Sequence, residues 1–293
     1  MSAPGRFLPA PTDCLEPKTN GNNQSALPFV ERAHADTART PAARGRYNGA
    51  NADFPIGHAR SQLQMFTLAN LDTSPPESLK SQVLQMVVDY FSDISPVPLT
   101  PSNPLYQLYQ YVIGYEVHLY LQAMNGTPES PTRLILALDD DDPSQVLGFA
   151  LYLPSLDDAE ACTLAYLAVK ASHRRRGIAR AMLRQMVEHR AHAELACVAS
   201  KVPVFESMGF RVLAAQGPQV LLNTRAQRSD GMVAVQDLAP IYQSREVRQI
   251  HAYLLQQRGK KAMSDAENKR DRLLDQLAYQ AQALVKERFP TFH

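Results

Sequence analysis

The sequence of 293 residues has little cysteine, little net charge and no long apolar run. Its three cysteines, Cys14, Cys162 and Cys197, are an odd and sparse set without CxxC or Cys/His spacing, which argues against a disulfide framework and a zinc site. The net charge of +1 provides no global attraction to nucleic acid or to an anionic membrane. No apolar run approaches the roughly 18 residues that span a bilayer, and the N-terminus lacks the apolar core of a secretory signal. These absences predict a cytoplasmic protein without a membrane anchor or a bound metal.

Three regions differ in their composition and pattern. Residues 1–60 are rich in Pro, Asn, Gly and Ser and show no apolar period, which predicts a disordered tail. Residues 61–225 alternate between strand and helix patterns and are predicted to form the folded domain. Residues 226–293 have a helical pattern and are predicted to form a C-terminal extension. The hydrophobic content of 45% and the charged content of 20% are typical of an ordinary globular protein.

The apolar periods from Gln64 to about Arg225 predict the order β-α-α-β-β-β-α-β-α-β-β, an α/β fold with a mixed sheet. In the extension, one predicted helix ends at Gly259. The SDAE segment, with Ser264 and Glu267 as a capping box, predicts the start of a second helix. Together the two predict a helical hairpin, which could pack on the domain, pair with a second copy or bind a protein partner.

Residues 173–179 read HRRRGIA, directly after a predicted buried strand that ends near Val169. A helix is predicted to begin at Gly177. A helix N-terminus offers unpaired N–H groups and the positive end of a dipole, and glycine lets those groups approach an anion closely. Arginine adds bidentate phosphate contacts. The segment therefore predicts a pyrophosphate site; the alternative, a basic patch for nucleic acid, lacks interleaved aromatic and basic residues.

Two motifs and the element order resemble the GNAT N-acetyltransferase superfamily. Its (Q/R)-x-x-G-x-(G/A) motif corresponds to residues 174–179, and Val169 lies five residues before it, as is usual in the family. The family's aromatic-Glu-x-x-Gly-Phe signature corresponds to FESMGF at residues 205–210, and Gly148 in VLGFALYL is also in its usual place. The resemblance covers about residues 64–225.

The resemblance implies a GNAT fold, in which the fourth and fifth strands splay apart and acetyl-CoA enters the gap. It implies direct transfer of an acetyl group to a primary amine of a small molecule or protein. Strand backbone groups would bind the pantetheine arm, and the loop and helix start would bind the pyrophosphate. The implied cofactor-binding residues are Leu167, Ala168, Val169, Arg174, Arg175, Arg176, Gly177, Ile178, Ala179, Arg180 and Phe205.

The sequence departs from the family at the residues that move protons. Phe205 replaces the frequent tyrosine acid, and the strand positions that often hold a carboxylate base are Thr163, Ala165 and Tyr166. Tyr166, facing the cleft, and Glu160, acting through water, are therefore the predicted catalytic residues. The alternatives are a core tyrosine and a solvated glutamate. These departures also leave open a second function, a catalytically weak acyl-CoA-binding module that acts through its helical tail.

Overall fold

Seven strands form one mixed sheet in the computed structural model, which describes residues 65–124 and 131–289. The strands are β1 (Phe66–Leu71), β2 (Arg133–Asp139), β3 (Val146–Pro154), β4 (Ala161–Val169), β5 (His192–Cys197), β6 (Arg211–Gln216) and β7 (Gln219–Asn223). Their order in the sheet is β1-β2-β3-β4-β5-β7-β6. The predicted order and the mixed sheet are confirmed, whereas the tail predicted for residues 1–60 lies outside the described residues.

Helices cover both faces of the sheet. They are α1 (Glu77–Asp89), α2 (Phe91–Ile94), α3 (Tyr106–Ala123), α4 (Ile178–His189), α5 (Val202–Glu206), α6 (Ala239–Tyr242) and α7 (Arg245–Arg288). The sequence predicts one helix through Ile94, but the backbone breaks at Tyr90, so α2 is a separate turn. Gly114 causes no break in α3. Gly209 has a φ of 95° and ends the short turn after α5.

The pairing of β4 and β5 creates the opening in the sheet. These two strands are parallel, and their three register pairs end at Thr163 and Glu194. All other neighbouring strands are antiparallel. Beyond Thr163 the two strands separate, which confirms the predicted splay. The register of β3 and β4 also shifts, because Tyr152 pairs with Leu164 while Leu151 pairs with Tyr166. The extra residue, Ala165, is a β-bulge, and it changes which β4 side chains face each side.

The sheet separates two apolar layers. One layer packs α1, α3, α6 and the start of α7 against side chains such as Phe149 and Tyr166. The other packs α4, α5 and the end of α7 against side chains such as Tyr152 and Leu195. In α4 the buried residues Ile178, Met182 and Met186 recur at a spacing of four, which explains why this helix lies flat on the sheet. The layers therefore hold the start of α4 at the end of β4.

The C-terminal extension contains α6 and then α7, whose two helical segments meet at Gly259 without a loop between them. Gly259 has a φ of 80° and a ψ of 158°, so the predicted end of the first helix is confirmed. The second segment resumes at once, and Ser264 lies inside it, so the predicted start at the SDAE capping box is wrong. Met263 explains the difference, because its burial in the first layer keeps the preceding turn helical. Ser244 is the true cap of α7, and its hydroxyl accepts a hydrogen bond from Val247 N–H at 3.2 Å.

Candidate functional site

The loop between β4 and α4 has an unusual backbone. Arg175, with a φ of 65°, is the one non-glycine residue with positive φ in the described ranges, and Gly177 follows it with a φ of 83°. Left-handed residues in close succession turn backbone N–H groups toward one side and form a concave site for an anion. A residue other than glycine in this region is strained, and such strain concentrates at functional sites. The HRRRGIA segment is therefore a shaped loop rather than a surface run of arginines.

The first turn of α4 offers its backbone donors to the same place. The first bond within the helix runs from Ala181 N–H to the Gly177 carbonyl, at 2.9 Å, and no side chain caps this end. The N–H groups of residues 178–180 are thus the first-turn donors that a helix cannot satisfy itself. A Cβ added at Gly177 would meet no atom within 4 Å, so open space lies in front of the turn.

A cleft of about 630 Å³, here called the front cleft, opens at this helix end. Among the predicted cofactor residues, those lining it are Leu167, Ala168, Val169, Arg174, Arg175, Gly177, Ile178, Ala179, Arg180 and Phe205. Arg176 is exposed and does not line it. The structure thus brings the end of β4, the loop, the start of α4 and α5 together around one space.

Arg174 has a different role in the loop from Arg175. Its Nη2 donates to Oδ2 of Asp93 at 2.8 Å, its Nε donates to the Val169 carbonyl at 3.1 Å, and its guanidinium lies 4.8 Å from the ring centre of Tyr90. Lys201 approaches the same aspartate, with its Nζ 3.7 Å from Oδ1. Asp93 of α2 therefore connects the residues that follow β4 and β5. Sequence reasoning missed this cluster because its three members are far apart along the chain.

A narrow passage leads from the front cleft through the gap between β4 and β5. Leu167, Lys201 and Phe205 line both spaces, and Leu195 and Cys197 belong to the passage. Burial raises the pKa of the Cys197 thiol to about 12, and burial lowers the pKa of Lys201. Leu164, Ala165 and Tyr166 line both the passage and a third space of about 140 Å³ on the opposite side of the sheet, here called the rear pocket. The three spaces lie next to one another across the sheet and are here together called the route.

The two predicted catalytic residues lie in different surroundings. Tyr166 lines the passage and the rear pocket, but its hydroxyl donates to Oε2 of Glu116 at 2.6 Å, and its side chain belongs to the first apolar layer. Glu160 lies outside all three spaces, where its Oε2 accepts from Arg225 Nη2 at 2.6 Å and its side chain is 66% exposed. Phe205 lines the cleft and packs edge-on against Phe210 at 6.1 Å. The structure therefore brings Tyr166, and not Glu160, to the route.

Glu194 is a polar residue of the route that the sequence did not indicate. It lies on β5, lines the rear pocket and is 8% exposed. The stretch ELACVAS predicts a buried strand, and nothing in that stretch identifies which face of the sheet the glutamate would take. The pairing of Glu194 with Thr163 of β4 determines that face, and the sequence pattern does not contain this pairing.

His118 of α3 lies away from the route. It lines an open groove of about 750 Å³ between α1, α3 and α7, stacked near Tyr115 at 6.0 Å. Burial, followed by the charge of Lys80, lowers its pKa. Of these two α3 residues, Glu116 contacts the route through Tyr166 and His118 does not.

Two negative findings concern the described part of the chain. In residues 65–124 and 131–289, no group of three His, Cys, Asp or Glu side chains is arranged to hold a metal ion. None of the helices in those ranges is long and apolar enough to cross a membrane.

Comparisons with known proteins agree with the motifs. The model of the "Acetyltransferase (GNAT) domain" family matches residues 130–212, whereas a search of curated proteins found no match. Similar solved structures include Escherichia coli ElaA, at 17% identity and a TM-score of 0.37, covering 55% of this chain and 100% of its own. An acetyltransferase from Thermus thermophilus has 16% identity and a TM-score of 0.40, covering 54% and 97%. The segment that matches the GNAT acetyltransferase family model therefore contains the loop, the start of α4 and Phe205.

Proposed function

We propose that this protein is an acetyl-CoA-dependent N-acetyltransferase that transfers the acetyl group directly to a primary amine. One observation carries the proposal: the uncapped first turn of α4, with Arg175 and Gly177 at positive φ, opens into a large cleft that continues between β4 and β5. Backbone donors at a helix N-terminus suit a diphosphate. The amphipathic lining of the cleft suits the pantetheine arm.

The residues present fit acetyl-CoA in three places. The N–H groups of residues 178–180 and the left-handed loop would bind the diphosphate, with Arg175 and Arg180 adding positive charge at the cleft wall. Leu167 and Phe205 would flank the arm as it enters the passage. Beyond Thr163, the β4 edge that faces the gap no longer pairs with β5, so its backbone groups are available to the arm and to the thioester.

The chemistry in this arrangement is the attack of an amine nitrogen on the thioester carbonyl carbon. The new C–N bond replaces the C–S bond, coenzyme A leaves as its thiolate, and strand N–H groups stabilise the oxyanion. An acyl-enzyme on Cys197 is disfavoured, because a thiol with a pKa of about 12 has almost no thiolate at neutral pH. The absence of a hydroxyl at Phe205 slows protonation of the leaving group without preventing transfer, because a thiolate leaves readily.

Calorimetric titration with acetyl-CoA tests the site. We expect binding by the wild type and none by Gly177→Glu, which places a carboxylate in front of the helix turn. The matched control is Gly114→Glu, because this α3 glycine also has no atom within 4 Å of an added Cβ and lies outside the route. Equal affinity in wild type and Gly177→Glu would refute the site.

Thiol release separates the enzyme from a binding module. With acetyl-CoA and a panel of small primary amines and peptides, we expect amine-dependent release of coenzyme A and an acetylated product of matching mass. Tight binding of acetyl-CoA with no product on any amine would instead favour the catalytically weak interaction module.

A further inference from the structure

The proposed reaction needs a group that takes a proton from the attacking amine. Among the described residues that line the front cleft, the passage and the rear pocket, the carboxylates are Asp93 and Glu194. Asp93 is engaged by Arg174 and Lys201 at the front. Glu194 is therefore the carboxylate on the side of the sheet opposite the diphosphate site.

The register of the sheet places Glu194 at the vertex of the gap. Its partner on β4 is Thr163, in the last pair before the strands separate. Neighbours in a sheet point to the same face, and both residues line the rear pocket. Glu194 thus brings a carboxylate from β5 to the closed end of the gap between β4 and β5.

Two neighbours hold the Glu194 side chain in place. Its Oε2 accepts from Asn223 Nδ2 of β7 at 3.3 Å, and its Oε1 lies 3.7 Å from Arg228 Nη2. A carboxylate has about four acceptor sites, so these contacts leave capacity for an ammonium. His192, two residues earlier on the strand, contacts the Gln227 carbonyl at 3.3 Å instead.

The remaining wall of the rear pocket is mainly apolar. Its aliphatic side chains include Leu153, Leu221, Val233 and Val235, and its amides are Gln216 and Gln219. An amine on an apolar stem suits this small space, because the stem contacts the aliphatic wall while the nitrogen reaches the carboxylate.

Resting on the proposed function, we propose that Glu194 is the catalytic base, which binds the acceptor ammonium in the rear pocket and removes a proton from it. From the rear pocket, the neutral amine then attacks the carbonyl carbon of the thioester, which the passage would hold. The nitrogen loses two protons in all: one goes to Glu194 and from there to solvent, and the other neutralises the coenzyme A thiolate. The products are the amide, the free thiol and one released proton.

The test compares Glu194→Gln with Glu194→Asp and the wild type. We expect Glu194→Gln to bind acetyl-CoA within twofold of the wild type, while kcat/KM for the amine falls by about 10²–10⁴-fold. Glu194→Asp should recover part of this loss. The deficit of Glu194→Gln should shrink as the pH approaches the pKa of the amine, about 10.4 for a lysine-like acceptor, because free amine then needs no base.

The experiment also includes a control variant, a control for folding and a variant of the competing candidate base, Glu160. Glu188→Gln, an exposed glutamate of α4 outside the route, should retain wild-type rates. Thermal melting of each variant shows whether it is folded at the assay temperature. Wild-type kcat/KM in folded Glu194→Gln, or the loss appearing in Glu160→Gln instead, overturns the assignment while leaving the proposed function intact. A wild type that binds no acetyl-CoA overturns both together.

Discussion

The hydroxyl of Tyr166 on β4 donates a 2.6 Å hydrogen bond to Oε2 of Glu116 on α3. Both side chains are at most 3% exposed, so a polar contact joins strand and helix inside an apolar layer. Because a buried polar group that loses a partner is costly, the contact matters for stability whatever Tyr166 does in catalysis.

We expect Tyr166→Phe to lower the free energy of unfolding by about 1–3 kcal/mol, because it removes the hydroxyl that donates to a buried carboxyl oxygen. Chemical denaturation measures the change, and Tyr115→Phe, at a ring that is 39% exposed, is the control that should stay within about 0.5 kcal/mol. Turnover of the folded variant tests the predicted catalytic role separately. Unchanged stability would show that the contact contributes nothing.

We expect Gly148→Ala to lower stability by about 1–3 kcal/mol and to weaken acetyl-CoA binding. An added Cβ would lie 3.0 Å from the Ala168 carbonyl oxygen and 3.2 Å from Ile178 Cγ2, so β3 would push on the first residue of α4. Thermal melting and calorimetry measure the two effects. Gly114→Ala, at a helical glycine with open space, should be neutral or stabilising by up to about 1 kcal/mol.

We expect Asp93→Asn to bind acetyl-CoA about two- to fivefold more tightly at low ionic strength, because Arg174 and Lys201 lose a counter-charge at the cleft wall. The gain should fade at about 0.5 M salt, since screening weakens the attraction. Asp89→Asn, which removes an exposed carboxylate of α1 outside the cleft, is the control. A weaker affinity in Asp93→Asn would mean that the aspartate is needed to position Arg174.

Burial raises the pKa of both Cys162 and Cys197 to about 12 from an ordinary value of 9.0. In a Cys14→Ser background we therefore expect almost no reaction with a thiol reagent at about pH 8 until the protein is unfolded, when two thiols react. A protonated thiol stabilises the fold fully below about pH 9, and this contribution is lost as the pH rises toward 12. Fast labelling of the native protein would contradict the burial.

The sequence predicted the features that depend on local chemistry. The loop at residues 174–179 and the start of α4 follow from a glycine and a buried strand placed next to each other, and the apolar periods predicted the order of helices and strands along the chain. The SDAE segment shows the limit of such signals. Its capping pattern is sound by itself, but packing of Met263 continued the helix through it.

The features that sequence reasoning missed depend on pairing between distant segments. The position of Glu194 depends on its pairing with Thr163 on the neighbouring strand. The cluster of Asp93, Arg174 and Lys201 depends on contacts between a helix and two loops. The face of a strand residue changes with a one-residue slip, and the bulge at Ala165 is such a slip. A pattern of apolar residues therefore located the strands but did not say which polar side chains would share a pocket.

The three-pair contact between β4 and β5 makes the sheet two smaller sheets joined at one end. A coenzyme in the gap would form hydrogen bonds with the backbone of β4 and β5 where the two strands no longer pair with each other. Because a ligand that binds the native state alone raises its stability with concentration, the melting temperature of this protein would report the local supply of acetyl-CoA. Under the proposed function, the opening in the sheet would thus couple the lifetime of the folded chain to the availability of acetyl-CoA.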